Sequence, residues 1–408
     1  MDKPSVCIEV TSNSLKLLVG FELAGQAVAL YHKEIPLPGI LENGKVKDEE
    51  GFVNALKSLR YIVDDDLKIK MNITECSLVL PPVGLQIFQN DKATNVVSST
   101  NEIAKIDIAN VISLVKKEPV PNGLAIVDII PDEFVLETGE RYSDPPLGKK
   151  SQSLMIKAKI HTLPADVPAT FERLFLEATI YIRKKCVSTY CLSLLHASYD
   201  DLPKSYVMVD IGAKVTTVSL VGRTSPYVSS SFFMGGDDLT DAIAEAFGVS
   251  FEEAEKLKRD YGYDLRPSSY QPPIAGQAEG QAFTKKELNS IIESHFESFG
   301  SMLTNAIASM LSKYKGHLDN LPLIFTGGGS ALVGIRDLLA PLFPNRELFF
   351  ARPRSIGARD YGQGALLGLI IGANKYTGAL EDNYRGMGSV SRVQNKNKRS
   401  NAAEVDTL

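Results

Sequence analysis

Apolar and polar positions alternate with a period of two at the start of the chain, over residues 6–10 and again over 15–21, which predicts two strands. A further strand is expected at 26–35, followed by an amphipathic helix over 48–63 and a strand at 76–80 that Pro81 and Pro82 stop. The texture then changes. A helical pattern at 102–117 precedes strands near 124–130 and 133–136, a turn-rich Ser143–Gly148 stretch and a largely period-two strand at 154–161. A helix with three or four strands makes a small α+β insert. A helix at 165–178 resumes the main body, and a new strand system begins near Tyr206. Helical patterns follow at 237–247, 251–261 and 285–314, with a Pro/Gly/Gln-rich loop at 266–281. The residues from 377 to 408 are rich in Asn, Ser and Lys and poor in apolar side chains, and are expected to be disordered.

Three segments carry candidate chemistry. Cys7–Leu18 and Met208–Ser219 are built alike: an apolar strand ends near a carboxylate (Glu9, Asp210), a turn of small or polar residues follows, and an apolar strand leaves. Two such hairpins about 200 residues apart suggest two related half-bodies around one cleft. The third segment is a short strand, Leu323 to Phe325, running into Thr326-Gly327-Gly328-Gly329-Ser330 and then an apolar helical pattern. Glycines there allow close backbone approach to a ligand, and a following helix aims amides at it. Tight hairpin amides can point at phosphate oxygens. One or two carboxylates suffice for a hydrated Mg²⁺, and Lys16 could neutralise a phosphate.

The chain has 408 residues, enough for two to four domains or one large α/β body with insertions. Its 44% hydrophobic and 23% charged residues are ordinary for a soluble globular protein. A formal charge of -5 gives no reason to expect nucleic acid binding. Cys7, Cys76, Cys186 and Cys191 lack metal or CxxC spacing and are expected to be reduced core residues. No apolar run reaches a membrane span, no signal peptide is evident, and a cytoplasmic location is expected.

The order of acidic hairpin, second acidic hairpin and glycine turn resembles the phosphate-1, phosphate-2 and adenosine motifs of the actin-like ATPase superfamily. Within it the chain resembles the FtsA family, bacterial division proteins that link FtsZ filaments to the membrane. Val127–Leu136, Pro146-Leu147-Gly148 and Ile156–His161 are similar to that family's inserted subdomain. Gly235-Gly236-Asp237 and Ala254–Gly262 are similar to the helix pair of its second half.

The resemblance implies an α/β, actin-like fold with two related half-bodies around a nucleotide cleft. Residues 1–82 and 163–206 would form the first half, 83–162 an SHS2-like insert, and 207–376 the second half with a helical subdomain at about 246–320. Ser12, Asn13, Ser14 and Lys16 would face the β/γ-phosphates of ATP opposite Gly212, Ala213, Lys214 and Thr216. Glu9 and Asp210 would bracket Mg²⁺ through water. Gly235 and Gly236 belong to the nucleotide set, Glu255 and Lys258 would approach ribose and adenine, and Gly327, Gly328, Gly329 and Ser330 would line the adenosine. The bare sequence favours a solvated helix face for Glu255 and Lys258, and leaves Lys214 equally readable as phosphate contact or turn cover.

The chain departs from the family at several of these positions. Glu9 and Thr11 stand where the family has Asp and Gly, and Ala213 and Lys214 replace two glycines, while Thr217 replaces an acid. A β-branched residue resists positive φ. Ser193, ahead of His196, stands where relatives carry a carboxylate that orients attacking water, and serine is a poor general base. Weak or absent hydrolysis is expected. Val393 is the only large apolar residue among Arg392, Lys396, Lys398 and Arg399, so the tail shows no apolar face for a membrane interface. Anchoring through another division membrane protein is the simpler expectation. The implied partners are FtsZ, with its surface within 264–321, a second copy in a filament or homo-oligomer, and division membrane proteins at the inner face of the plasma membrane. A pilus-assembly platform like PilM and a metabolic kinase of the same superfamily are the alternative readings.

Overall fold

The computed structural model describes residues 4–65, 67–264, 266, 283–312, 314, 318 and 320–373. The expected disordered tail at 377–408 and nearly all of the 266–281 loop lie outside the described residues.

The chain begins with β1 (Ser5–Val10), β2 (Ser14–Leu23), β3 (Gln26–Pro36), the two-residue strands β4 (Leu41–Glu42) and β5 (Lys45–Val46), and α1 (Glu49–Arg60). A short hairpin, β6 (Tyr61–Asp64) and β7 (Ile69–Asn72), leads to β8 (Glu75–Leu80). Asp48 caps α1 by accepting the Gly51 amide at 3.0 Å, and Phe52, Val53, Leu56 and Leu59 form its buried face. The helix stops three residues short of the expected 63 because Tyr61, Ile62 and Val63 pair instead with Asn72, Met71 and Lys70. Aromatic and β-branched side chains favour that exit.

Next come β9 (Gln86–Asn95), α2 (Lys105–Lys116), β10 (Leu124–Leu136), β11 (Arg141–Tyr142) and β12 (Ser153–Pro164), which form a separate sheet in the order β11-β10-β12-β9 with α2 against it. The two strands expected at 124–130 and 133–136 are one strand. Its register shifts between Pro131 and Glu133, next to a residue that has no amide hydrogen to give the ladder. The chain returns through α3 (Asp166–Glu177), β13 (Tyr181–Val187) and α4 (Ser188–Ala197).

The remainder comprises β14 (Ser205–Ile211), β15 (Thr216–Gly222), β16 (Ser225–Phe232), α5 (Gly236–Phe247), α6 (Phe251–Tyr261), α7 (Lys285–Leu311), β17 (Leu323–Thr326), α8 (Ile335–Leu339), β18 (Leu348–Phe350) and α9 (Gly364–Ala373). Its sheet runs β16-β15-β14-β17-β18, and the first runs β3-β2-β1-β8-β13. In both, the leading strand is antiparallel to the next strand in sequence and parallel to the strand on its other side. The two sheets are therefore topological duplicates, as the paired hairpins suggested. β1 and β14 are central and almost wholly buried, so each reads as an apolar run ended by its acid.

α4 and α9 cross between the duplicates. Gly364, Gly368 and Gly372 face α4, and a Cβ on Gly368 would stand 1.7 Å from the Cys191 carbonyl oxygen. Only glycine permits that approach. All four cysteines are free and buried.

Candidate functional site: a cleft between the duplicated sheets

The leading strands of both sheets end at one cleft of about 680 Å³. Glu9, Ser12, Asn13 and Lys16 line it from the first hairpin, Asp210, Gly212 and Ala213 from the second, and Gly327, Gly328 and Gly329 from the glycine turn. Gly235, Gly236, Glu255 and Lys258 line it from α5 and α6.

The first turn is closed by Thr11, whose hydroxyl donates to the Ser14 carbonyl at 3.0 Å and accepts the Ser14 amide at 3.0 Å. Neither Thr11 nor Ala213 is among the residues with positive φ, so neither turn requires glycine at those places. The β-branched residue that was expected to resist the turn instead knits it together. The glycine turn does depend on its first glycine: Gly327 has φ of 80°, and its Cα faces Asp210 Oδ1 and the Ile211 carbonyl.

The two hairpins touch. The Lys214 amide donates to Ser12 Oγ at 3.2 Å, and Asn13 Nδ2 reaches the Asp237 carboxylate at 3.4 Å. The Gly236 and Asp237 amides donate to the Gly212 and Ala213 carbonyls at 2.9 and 2.7 Å, tying the start of α5 to the second hairpin.

Glu9 and Asp210 carry the electrostatics of the cleft. Burial pushes the Glu9 carboxyl up to about 7, with Asp210 and Glu34 adding to the rise and Lys16 opposing it. Burial likewise raises Asp210 to about 6, again against Lys16. Glu9 Oε2 is buried without a hydrogen-bond partner. A buried acid with an unpartnered oxygen and a half-buried one beside it form a donor set suited to a hydrated hard cation. Lys16 pairs across the hairpin with Glu9 and donates to the Gly362 carbonyl at 2.8 Å. Lys258 donates to the Gly236 carbonyl at 2.8 Å and lies 2.5 Å from Glu255, which also accepts from Thr240 and Arg259 at 2.6 Å. Burial alone would raise Glu255, but the bonds from Lys258 and Thr240 hold it below the ordinary carboxylate range.

Four of the expected residues present no side chain to the cleft. Ser14 is buried against Thr11, Thr216 Oγ1 donates to the Met234 carbonyl at 2.7 Å, and Ser330 Oγ donates to the Thr326 carbonyl at 2.6 Å. Lys214 contributes its backbone amide to the turn. Ser193 is also turned away: its hydroxyl bonds the Tyr190 and Thr224 carbonyls at 2.7 and 2.8 Å. His196 pairs with the Tyr206 hydroxyl at 3.1 Å, and burial lowers its imidazole to about 3. The α4 residues that do face the cleft are Ser188 and Leu192, four apart on one helix face. Asp237 was missed as a lining residue, although it directly follows the Gly235-Gly236 pair.

The family model described as "Cell division protein FtsA" matches residues 207–362. The cell division protein FtsA of Bacillus subtilis is 26% identical over 375 residues, covering 90% of this chain and 82% of the relative. That of Enterococcus faecalis is 24% identical, covering 93% and 84%. Among solved structures, the PilM–PilN type IV pilus biogenesis complex aligns with a TM-score of 0.59 at 14% identity, over 92% of this chain and 98% of that one. MreB5 of Spiroplasma citri bound to ADP aligns at 0.54 and 13% identity, over 93% and 99%. These likenesses establish the actin-like ATPase fold. Together with the sequence relatives, they make this chain similar to the actin-like cell-division proteins of the FtsA family.

Proposed function

We propose that the protein is an ATP-binding division adaptor that polymerises and links FtsZ filaments to the cytoplasmic face of the membrane, with weak or no ATP hydrolysis. The observation that carries this reading is the convergence of Glu9, Asp210 and the Gly327–Gly329 turn on one cleft. MreB5 of Spiroplasma citri, which shares the fold, has been solved bound to ADP and to AMPPNP. The Ala213 turn, the Asn13 side chain and Lys16 surround a space suited to a polyphosphate. Glu9 and Asp210 would hold Mg²⁺ through its waters, where the ion neutralises phosphate charge.

The same geometry supports slow turnover. α4 offers the cleft Ser188 and Leu192, and a serine hydroxyl is a poor proton acceptor. Asp237 is engaged by Asn13, and Glu255 by Lys258, Thr240 and Arg259. The nucleotide then serves as a ligand that selects between cleft states.

Among the described residues no helix is long and apolar enough to cross a membrane. Membrane attachment is assigned to another division membrane protein, with FtsZ bound within 264–321 and further copies of the chain completing the assembly. Co-sedimentation of the full-length chain with FtsZ filaments, scored with and without ATP, tests the adaptor role. Pelleting with FtsZ and little phosphate release is the expected result. Rapid phosphoryl transfer to a small molecule, or no association with FtsZ under either condition, would contradict it.

A further inference from the structure

The β15–β16 ribbon has one end in the cleft and the other between two neighbouring parts of the molecule. At the cleft end, Thr217 lines the cavity, and β16 runs on into Gly235 and Gly236, which also line it. At the far end, the turn joining the strands is gripped twice. Ser193 of α4 donates to the Thr224 carbonyl at 2.8 Å. Lys159 of β12 donates to Ser225 Oγ at 2.8 Å and sits 3.3 Å from the centroid of the Tyr227 ring.

Lys159 is only 1% exposed, and Asp132 of β10 lies 3.5 Å from its ammonium. Burial lowers its ammonium to about 8, against the pull of Asp132. An ammonium desolvated this far is costly unless its contacts are held in place, so the insert and the turn are fixed to each other at this point. The cation over the Tyr227 face adds attraction that grows with desolvation.

The ribbon between these ends is paired along its length, with one register shift between Leu220 and Val221. Its strands pair from Thr216–Phe232 to Gly222–Ser225. Across them Thr217 bonds Ser231 and Ser219 bonds Ser229, each at 3.0 Å, side chain to side chain. Seven residues of strand span roughly 20 Å, and these cross-strand bonds lie on the cleft side of the register shift, so the cleft end and the turn are joined by a continuously paired element.

We propose that the β15–β16 ribbon is a lever joining the cleft to the inserted subdomain, with Lys159 as its clamp. The proposal rests on the nucleotide reading of the cleft for its input. A ligand that moves the cleft end shifts the insert, and a protein docked on the insert shifts the cleft by the same free energy, since such coupling is reciprocal. The insert thereby reports the state of the cleft.

Hydrogen–deuterium exchange of the full-length chain, with and without Mg·ATP, tests the lever in the wild type and in Lys159→Met. In the wild type, Mg·ATP is expected to slow exchange together in residues 216–232 and 153–164, by about fivefold or more. In Lys159→Met the slowing persists at 216–222 and is lost at 153–164. Equal slowing of both segments in the variant overturns the clamp, and slowing confined to 216–222 in the wild type overturns the lever. Should Lys159→Met fail to fold by thermal melting, Tyr227→Leu removes the ring and leaves the Ser225 bond, with the same outcomes expected. If Mg·ATP does not bind at all, the nucleotide reading fails separately. Ligand-free exchange then decides the clamp: faster exchange at 153–164 and 225–232 in the variant supports it, and unchanged rates overturn it.

Discussion

Asp210 and Gly327 leave each other no spare room: a Cβ at position 327 would stand 2.3 Å from Asp210 Oδ1 and 2.5 Å from the Ile211 carbonyl oxygen. The carboxylate that ends β14 and the first residue of the glycine turn are thus fixed against each other. Gly327→Ala adds a methyl group at φ of 80° and ψ of 161°, a region essentially reserved for glycine, which alone costs about 1–3 kcal/mol, and the overlap adds more. A lower melting temperature and loss of fluorescent-ATP binding are expected. A variant that melts and binds like the wild type would refute this packing.

The two cleft acids make the ligand-free protein sensitive to pH. Glu9 is raised to about 7 from 4.5 and Asp210 to about 6 from 3.8, so the folded state holds these protons more tightly than the unfolded chain. Their contribution to stability is complete below the unfolded values and is lost as pH rises through 6 to 7. Glu9→Gln should gain on the wild type by about 1–3 kcal/mol between pH ~5 and pH ~8. Denaturant melts at the two pH values measure this, and an unchanged difference would argue against buried, unneutralised carboxyls.

Gly368→Ala separates helix propensity from packing. Alanine normally stabilises a helix interior by about 1 kcal/mol over glycine. Here its Cβ would fall 1.7 Å from the Cys191 carbonyl, so α9 must move off α4. A loss of at least about 2 kcal/mol in chemical denaturation is expected. Stabilisation would mean the helices cross less closely.

Asn13→Asp places a carboxylate where an amide now donates to Asp237 at 3.4 Å. Like charges across the cleft would hold the hairpins apart and repel a polyanion. ATP affinity is expected to fall about tenfold, a loss of about 1.4 kcal/mol, with much of the deficit restored by high salt. Undiminished affinity would place the phosphates away from this hairpin.

The hairpins were legible in the sequence because each couples two local signals, an apolar strand ending in an acid and a turn of small residues. Their duplication predicted the twin sheets. α4 and α9 were not legible: Leu192, Leu194 and Leu195 are all buried, and α9, Gly-Ala-Leu-Leu-Gly-Leu-Ile-Ile-Gly-Ala, has no polar face to give a helical period. Which side of α4 meets the cleft depends on its crossing with α9. The family resemblance pointed to the position of Ser193, whereas the structure presents Ser188 to the cleft. Strand β13 escaped for a related reason, since Tyr181–Val187 lies at a sheet edge and mixes Arg183, Lys184 and Lys185 into its pattern. The short span of α1 came from pairing with β7, a contact no local pattern reveals.

Equilibrium titration of the full-length chain with fluorescent ATP, run with Mg²⁺ and with a chelator, bears most directly on two carboxylates and a glycine turn sharing one triphosphate. Saturable binding that weakens at least about tenfold without Mg²⁺, and that Asp210→Asn weakens to the same level with or without the ion, is the predicted result. No saturable binding at millimolar nucleotide, or binding indifferent to both Mg²⁺ and Asp210, would contradict it.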